Sequence, residues 1–182
     1  MAVTLEQDLL EFANFIDLLR NEGVKSYLEI GSKNGGSLWM VASFLPEGSR
    51  VVSVDIGSGD YVKFLEQTVS RISTQGRDAH LILGNSADKS VIQRALALGP
   101  FDAVMIDGDH IYDAVMQDWN NYGPSARIVA FHDIAWRRAD EWKEGRRIDV
   151  PRVWDELKSK YRHVEFKHCK TGKNNGIGVL WR

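Results

Sequence analysis

The sequence predicts an α/β fold with a doubly wound, mostly parallel seven-stranded sheet, helices on both faces and a C-terminal antiparallel hairpin. Short apolar runs rich in Val, Ile and Leu alternate with segments of helical periodicity. Repeated strand, helix, strand units of this length need right-handed crossovers, which make the strands parallel. Near the end of the chain two strand-like runs flank the turn residues 173–176, and this arrangement predicts antiparallel neighbours.

Five apolar runs are predicted to be strands buried on both faces, because they show little polar alternation. These runs are residues 26–30, 50–55, 79–83, 101–107 and 127–132. Four segments of helical period lie between them, at residues 36–44, 60–73, 87–98 and 111–122.

The ends of the chain add further elements to this pattern. Residues 1–24 predict an amphipathic helix, and a second helix starts at Pro151, where proline suits the first turn. The last two strands are predicted at residues 163–168 and 177–181. Residues 135–150 are dense in charge and hold two tryptophans, so they predict a loop that can serve as a substrate lid.

Composition sets the class of protein before any motif does. A chain of 182 residues with 43% hydrophobic and 26% charged residues predicts one domain over 1–182 with one core. The net charge of -2 gives no reason to bind nucleic acid or an anionic membrane, and favours a small-molecule substrate. The single cysteine, Cys169, fits a cytoplasmic protein, and acidic residues near the amino terminus argue against a signal or membrane segment. The sequence leaves a homo-oligomer open.

A glycine-rich turn follows the first predicted strand. Gly31 and Gly35 allow a sharp turn and close approach of a ligand, while free amides of the next helix can meet an anionic group. The alternative is a tight turn that needs glycine only for its own geometry.

The next two strand ends support a cofactor site. Asp55 ends the second strand 20 positions after Gly35, where a carboxylate can accept both hydroxyls of an adenosine ribose. Asn85 and Ser86 follow the third strand and can bond an adenine ring. A lone acid at a strand end is usually a helix cap, but three successive strand ends agree.

The spacing argues against a dinucleotide. Lys33 stands where the G-x-G-x-x-G fingerprint requires its second glycine, so the backbone is not bare where a pyrophosphate would lie. The sequence therefore argues against an NAD-binding oxidoreductase or epimerase, which stays open as an alternative function. A catalytically silent protein that only binds a cofactor is a second alternative.

The sequence resembles the class I S-adenosylmethionine-dependent methyltransferases, whose fold is Rossmann-like. Glu29, Gly31, Gly35 and Ser37 match the E-x-G-x-x-x-G-x-S pattern of the branch that includes catechol O-methyltransferase. Asp107-Gly108-Asp109-His110 and His132-Asp133 look like the D-G-D-H and H-D signatures of small-molecule O-methyltransferases, including macrocin-type sugar enzymes and cephalosporin-hydroxylase-like proteins.

The resemblance implies S-adenosylmethionine as cofactor and a small hydroxylated acceptor, such as a sugar, polyketide or phenol. Glu29 would hold the methionine amino group, Asp55 the ribose, and Asn85 with Ser86 the adenine. Four further residues would complete the cofactor site. They are Gly31, Gly35, Ser37 and Asp107.

The same strand ends predict a metal site and a base. Asp107 ends the fourth strand and His132-Asp133 the fifth; neighbouring strands lie about 5 Å apart, so these side chains can converge. Carboxylates with one imidazole suit magnesium or manganese, although capping remains the alternative. Asp109 and His110 are the candidate catalytic residues. The resemblance to the sugar enzymes favours Asp109 as base, with His110 orienting the acceptor.

Overall fold

The computed structural model describes residues 7–136, 148–168 and 175–182. Residues 137–147 of the lid predicted at 135–150 lie outside these ranges, as do the turn residues 173 and 174. Seven strands form one sheet: β1 (Ser26–Ile30), β2 (Arg50–Asp55), β3 (Asp78–Leu83), β4 (Phe101–Ile106), β5 (Ala126–His132), β6 (Arg162–Phe166) and β7 (Ile177–Trp181). The described helices are α1 (Leu9–Asn21), α2 (Gly36–Phe44), α3 (Val62–Thr74), α4 (Lys89–Leu96), α5 (Tyr112–Tyr122) and α6 (Val150–Lys158).

The strand order in the sheet is β3-β2-β1-β4-β5-β7-β6. Strands β1 to β5 pair in parallel. Strand β7 pairs antiparallel with both β5 and β6. The predicted doubly wound sheet and its antiparallel hairpin are therefore confirmed.

This order creates a switch point between β1 and β4. The chain leaves β1 outward through β2 and β3, then returns to β4 on the other side of β1. Because the connections after β1 and β4 run in opposite directions, a crevice opens at the carboxyl ends of these strands.

Both faces of the sheet are covered by apolar layers. Side chains alternate along a strand, so Tyr27 and Leu28, both fully buried, face opposite layers. One layer holds residues of α4, α5 and α6, such as Trp119 and Trp154, and the other holds residues of α1, α2 and α3.

Strand β3 differs from the prediction that all five parallel strands are buried on both faces. Only Ile82 is buried in it, and both Asp78 and Leu83 are exposed. The reason is topological, because β3 lies at the edge of the sheet and pairs only with β2. Its apolar sequence resembles a central strand, but helices cover it incompletely.

The amino-terminal helix is confirmed for residues 9–21, whereas residues 1–6 lie outside the described part. Asp8 caps α1 by accepting hydrogen bonds from the amides of Leu10 and Glu11. Glu11 is buried and accepts bonds from the amides of His168 at 2.7 Å and Gly176 at 3.0 Å. The helix is thereby attached to both sides of the β6–β7 connection.

Among the described residues, no helix is long and apolar enough to cross a membrane.

Candidate active site

The crevice at the carboxyl ends of β1, β2, β4 and β5 contains a cavity of about 650 Å³, which we call the cleft. One half is lined by the loops after β1, β2 and β3 and includes Asp55, Asn85 and Ser86. The other half includes Asp107, Asp109, His110, His132 and Asp133. Nearly all of the residues predicted from the strand ends therefore share one cavity.

The glycine turn after β1 packs directly on the end of β4. Gly31 has a φ of +85°, and a Cβ atom there would lie 2.3 Å from the Asp107 carbonyl oxygen. Gly35 has a φ of +84°, and its Cβ would lie 2.8 Å from Thr68. Neither position admits another residue without movement of its neighbours, so the glycines serve the tight turn as well as any ligand.

Asp55 connects two loops in the half of the cleft that is formed after β1, β2 and β3. One of its oxygens, Oδ2, accepts the amide of Lys33 at 2.8 Å. Its other oxygen, Oδ1, accepts the Gly57 amide at 2.9 Å and the Tyr61 hydroxyl at 3.1 Å. The bond to Lys33 supports a non-glycine residue at φ +50° in the turn. Contact of Asp55 with a ribose stays a prediction.

Asn85 and Ser86 lie on the wall of the cleft beyond β3. Asn85 is exposed, and its side-chain oxygen accepts the amide of Ala87 at 2.9 Å. Ser86 is half-buried. Their placement is compatible with adenine binding, which remains a prediction.

Glu29 differs from the other predicted cofactor residues because it is fully buried and absent from the cleft wall. Its carboxylate accepts the hydroxyls of Tyr27 and Ser37, each at 2.8 Å. Burial is the largest influence on it and, despite these bonds, raises its pKa from 4.5 to about 7. Ser37 lies on the wall, so Glu29 sits one hydrogen bond behind the cavity.

We expect Glu29→Gln to stabilise the ligand-free protein at pH 8 while weakening cofactor binding. The folded-state pKa of about 7 lies above the ordinary 4.5, so the stabilisation is complete below pH 4.5 and is lost as the pH rises through 7. The variant avoids this loss, which predicts a gain of about 1–3 kcal/mol at pH 8. If Glu29 holds the methionine ammonium group, as the resemblance implies, removing its charge should weaken S-adenosylhomocysteine binding about tenfold or more.

Urea unfolding at pH 5 and pH 8, with calorimetric titration of S-adenosylhomocysteine, measures both effects. Glu66→Gln, an exposed change on α3, is the control and should alter neither quantity. If Glu29→Gln is less stable than the wild type at pH 8, the buried carboxylate contributes to stability rather than opposing it.

The second half of the cleft is an acidic cluster with two imidazoles, formed by Asp107, His110, His132 and Asp133. His110 Nε2 lies 3.0 Å from Asp133 Oδ2 and 3.6 Å from Asp107 Oδ1. His132 Nδ1 lies 3.2 Å from Asp107 Oδ1 and 3.3 Å from Asp133 Oδ1. Asp133 has a φ of +64°, an unusual conformation for a non-glycine residue that suggests a functional constraint.

The charges of this cluster are mutually dependent. Burial opposes protonation of both histidines, but the two carboxylates outweigh it and raise the pKa of His110 and of His132 to about 9. Burial raises the pKa of Asp107, but the two imidazoles outweigh burial and hold this pKa well below its usual range. The carboxylates therefore favour the protonated form of the imidazoles that they face.

The cluster fits the donor chemistry of a divalent metal. Potential ligand atoms of Asp107, His110 and Asp133 all lie within 4.8 Å of one another. The sequence predicted His132 as the imidazole ligand, whereas this grouping contains His110. His132 Nε2 and Asp133 Oδ1 are buried and make no hydrogen bond within the described part of the chain. The metal and the choice of histidine both remain predictions.

Asp109 and His110 point to different partners. Asp109 Oδ1 accepts the amides of His110 at 2.7 Å and Ile111 at 3.3 Å, so this oxygen organises the turn before α5. The His110 imidazole points to the cluster, and its carbonyl accepts the Asp149 amide at 2.7 Å. Both residues line the cleft, which keeps both as candidates for the base.

Several lining residues carry no motif; Trp136 and Ile148 belong to the lid predicted at 135–150, whereas Gln7, Tyr61 and Asn175 were not predicted. Gln7, just before α1, donates from Nε2 to Asp107 Oδ2 at 3.3 Å. Tyr61, Ile148 and Asn175 also line the cleft, as does Trp136 at the start of the predicted lid. The Asn175 carbonyl accepts the Ala135 amide at 2.9 Å, which holds the two segments together. These contacts join segments far apart in sequence, and no local pattern indicates them.

Comparison with known proteins agrees with this arrangement. Residues 28–134 match a family model described as a methyltransferase domain. The chain belongs to this methyltransferase family. The resemblance to S-adenosylmethionine-dependent methyltransferases is therefore confirmed, and the oxidoreductase or epimerase alternative falls away. The methyltransferase matches no curated protein.

Solved structures show the same fold. The O-methyltransferase from Bacillus cereus, in complex with S-adenosylhomocysteine, is 18% identical with a TM-score of 0.74, covering 100% of this chain and 84% of that chain. TomG, an O-methyltransferase from Streptomyces achromogenes involved in tomaymycin synthesis, was solved with S-adenosylmethionine. It is 16% identical with a TM-score of 0.71, covering 98% of this chain and 81% of that chain.

Proposed function

We propose that the protein transfers the methyl group of S-adenosylmethionine to a hydroxyl of a small molecule, assisted by magnesium or manganese. The observation that carries the proposal is the convergence of Asp107, His110 and Asp133 in the same cleft as the cofactor loops. A methyltransferase that only bound its cofactor would have no use for a half-buried and a buried carboxylate at this place. The solved relatives named as O-methyltransferases support the hydroxyl acceptor.

The half of the cleft formed by the loops after β1, β2 and β3, which we call the cofactor half, has residues suited to bind adenosine and methionine. Asp55 would accept the ribose hydroxyls, Asn85 and Ser86 would meet the adenine, and Ser37 with Glu29 behind it would face the ammonium group. Gly31 allows the turn to lie against Asp107, and this would bring the methionine end of the cofactor beside the acidic cluster. The sulfonium methyl would then point from one half of the cleft into the other.

The acceptor half must align a hydroxyl oxygen with this methyl group and remove its proton. Asp107 and Asp133 with a histidine would hold the divalent ion, which lowers the pKa of a bound hydroxyl. Asp109, on the same wall, would take the proton. Gln7, Trp136 and Asn175 offer amides and an aromatic ring to the rest of the molecule, which suits a small polar acceptor.

A partner other than a small molecule has no support in the charge of the chain, and the single cysteine suits the cytoplasm. We therefore include a cytoplasmic location and the absence of a nucleic-acid partner in the proposal, and leave a homo-oligomer open.

Calorimetric titration with S-adenosylhomocysteine tests the cofactor site without knowledge of the acceptor. We expect wild-type binding, and a loss of about 1.5–3 kcal/mol in Asp55→Ala, because charged hydrogen bonds to the ribose disappear. Asp55 also holds the Lys33 turn, so Asp55→Asn is measured beside it; its amide should retain part of the affinity.

Asp102→Asn is the control, because Asp102 bonds to the amides of Lys25 and Ser26 at the opposite end of the sheet. It should bind as the wild type does. Unchanged affinity in Asp55→Ala would mean that the end of β2 does not contact the ligand, and an absence of wild-type binding would overturn the proposed function.

A further inference from the structure

Tyr27 places a hydroxyl group behind the turn that follows β1. Tyr27 and Glu29 both belong to this strand, and side chains two positions apart on a strand share one face. Tyr27 is fully buried, and its hydroxyl donates to Glu29 Oε2 at 2.8 Å. A buried tyrosine needs a partner for its hydroxyl, and here the partner is an ionisable side chain rather than the backbone.

The other oxygen of Glu29 is held by helix α2. The Ser37 hydroxyl donates to Glu29 Oε1 at 2.8 Å, and Ser37 lies on the wall of the cleft. Tyr27, Glu29 and Ser37 therefore form a continuous series of hydrogen bonds, which we call the relay. Of these three residues, Ser37 is the one that lines the cavity, so the relay runs from the interior of the protein to the cleft.

The relay holds a buried carboxyl group without a cation beside it. In the described ranges no ion pair involves Glu29, and helix α2 carries no charged residue. The other titratable groups that act on Glu29 are Tyr27 and Asp107, and the latter is itself acidic. Burying an unpaired carboxylate costs stability that apolar side chains in the same place would avoid. The relay therefore indicates a role that packing does not supply.

The relay also fixes the direction in which Ser37 donates. Burial raises the pKa of Glu29 to about 7, so at pH 8 its carboxyl group is mostly ionised and can only accept hydrogen bonds. The Ser37 hydroxyl must then donate its hydrogen to Glu29, which leaves the lone pairs of its oxygen for a ligand. An ammonium group can only donate, so it matches these lone pairs and is attracted by the charge behind them.

We propose that Tyr27 is a positioning residue for the methionine ammonium group, because its hydroxyl holds the Glu29 carboxylate that orients Ser37 toward the cofactor. This inference rests on the proposed cofactor site. Tyr27 is not on the cleft wall, so it acts through Glu29 and not on the ligand itself. Without the Tyr27 hydroxyl, Glu29 Oε2 loses its donor, and the neutral form of the carboxyl group is favoured. A neutral Glu29 attracts a cation less.

The experiment compares S-adenosylhomocysteine with the analogue in which hydrogen replaces its amino group, by calorimetric titration at pH 8. We expect the wild type to prefer S-adenosylhomocysteine at least about tenfold, because the analogue leaves the charged end of the relay without its partner. In Tyr27→Phe the preference should fall to about threefold or less. Glu29→Gln should lose the preference to the same extent, since it removes the charge.

A double variant tests whether Tyr27 acts through Glu29. Adding Tyr27→Phe to Glu29→Gln should not change the ratio of the two affinities further, because the group that Tyr27 positions is already lost. A further fall in this ratio would mean that Tyr27 acts by another route, and would overturn the inference.

Tyr122→Phe is the matched control. Tyr122 is also fully buried, and its hydroxyl donates at 2.7 Å to a partner beside the same cleft, but this partner is the carbonyl oxygen of Ser86. The variant should keep the wild-type ratio of the two affinities, whatever its effect on each. Urea unfolding of all variants selects a temperature at which each is folded.

A purely structural role of Tyr27 would lower stability, or weaken both compounds alike, without altering the ratio of their affinities. A wild-type ratio in Tyr27→Phe would therefore overturn the inference. If the wild type binds both compounds equally, the inference fails while the proposed cofactor site stands. If the wild type binds neither compound, the proposed function itself fails, so the two failures are distinguishable.

Discussion

Removal of divalent metal is expected to abolish methyl transfer, and Mg²⁺ or Mn²⁺ should restore it. Among the described residues, the cationic groups that face Asp107 and Asp133 within 3.6 Å are the imidazoles of His110 and His132. A divalent ion would take over this balance and hold the acceptor hydroxyl, so its loss should lower the rate by at least about 100-fold. Radiolabel transfer to a panel of hydroxylated small molecules, with and without chelator, measures the effect.

A direct measurement of metal binding tests the acidic cluster independently of methyl transfer. Titration of Mn²⁺ by paramagnetic resonance should show one site, and Asp133→Asn should weaken it at least about tenfold, the range seen when metal-site contacts are lost. S-adenosylhomocysteine affinity should change by less than about twofold.

Asp78→Asn is the matched control, because Asp78 also contacts a histidine, His80, at 2.7 Å, but on the exposed edge strand. It should bind Mn²⁺ as the wild type does. Full methyl transfer in excess chelator would remove the metal from the mechanism and leave the four residues as a charge-balanced structural cluster.

Hydrophobic periodicity in the sequence was sufficient to predict much of the fold. It is a local property, and it predicted the bounds of β1, β2, α2 and β7 as the structure has them. The edge position of β3 could not be found this way, since its apolar residues suit either a central or an edge strand. Which strand lies at the edge depends on the order of the whole sheet.

The site was predictable where strand ends determine it. Asp55, Asp107 and Asp133 follow parallel strands, and parallel strands place their carboxyl ends on one edge of the sheet. Gln7 and Asn175 reach the same cleft from segments far away in the chain, as the 3.3 Å contact between Gln7 and Asp107 shows. The position of Glu29 behind the cleft wall was also not predicted, because the pattern placed it in a buried strand but did not indicate that Ser37 lies between its carboxylate and the cavity.

Asp109→Asn is expected to lower the single-turnover rate of methyl transfer by about 100- to 10,000-fold, the usual effect of losing a general base. The contacts of His110, the other candidate base, favour a different role for this residue. Its Nε2 lies 3.0 Å from Asp133 Oδ2, so the imidazole is directed into the acidic cluster. In the metal-free protein the two carboxylates that it faces raise its pKa to about 9, so the imidazole is engaged with the acidic cluster.

His110→Gln therefore serves as the comparison, measured with the same acceptor and with Mn²⁺ and S-adenosylhomocysteine affinities determined separately. If His110 holds the metal or orients the acceptor, the rate loss in His110→Gln should result from weaker binding of Mn²⁺ or of the acceptor. The rate should then recover at saturating concentrations of both. If Asp109 is the base, the loss in Asp109→Asn should persist at saturation, because a base acts on the proton and not on binding. Since Asp109 Oδ1 also accepts the amides of His110 and Ile111, Asn, whose Oδ1 can keep those bonds, is a better test than Ala. A loss that persists only in His110→Gln would transfer the role of base to the histidine, and near-wild-type rates in both variants would mean that neither side chain takes the proton.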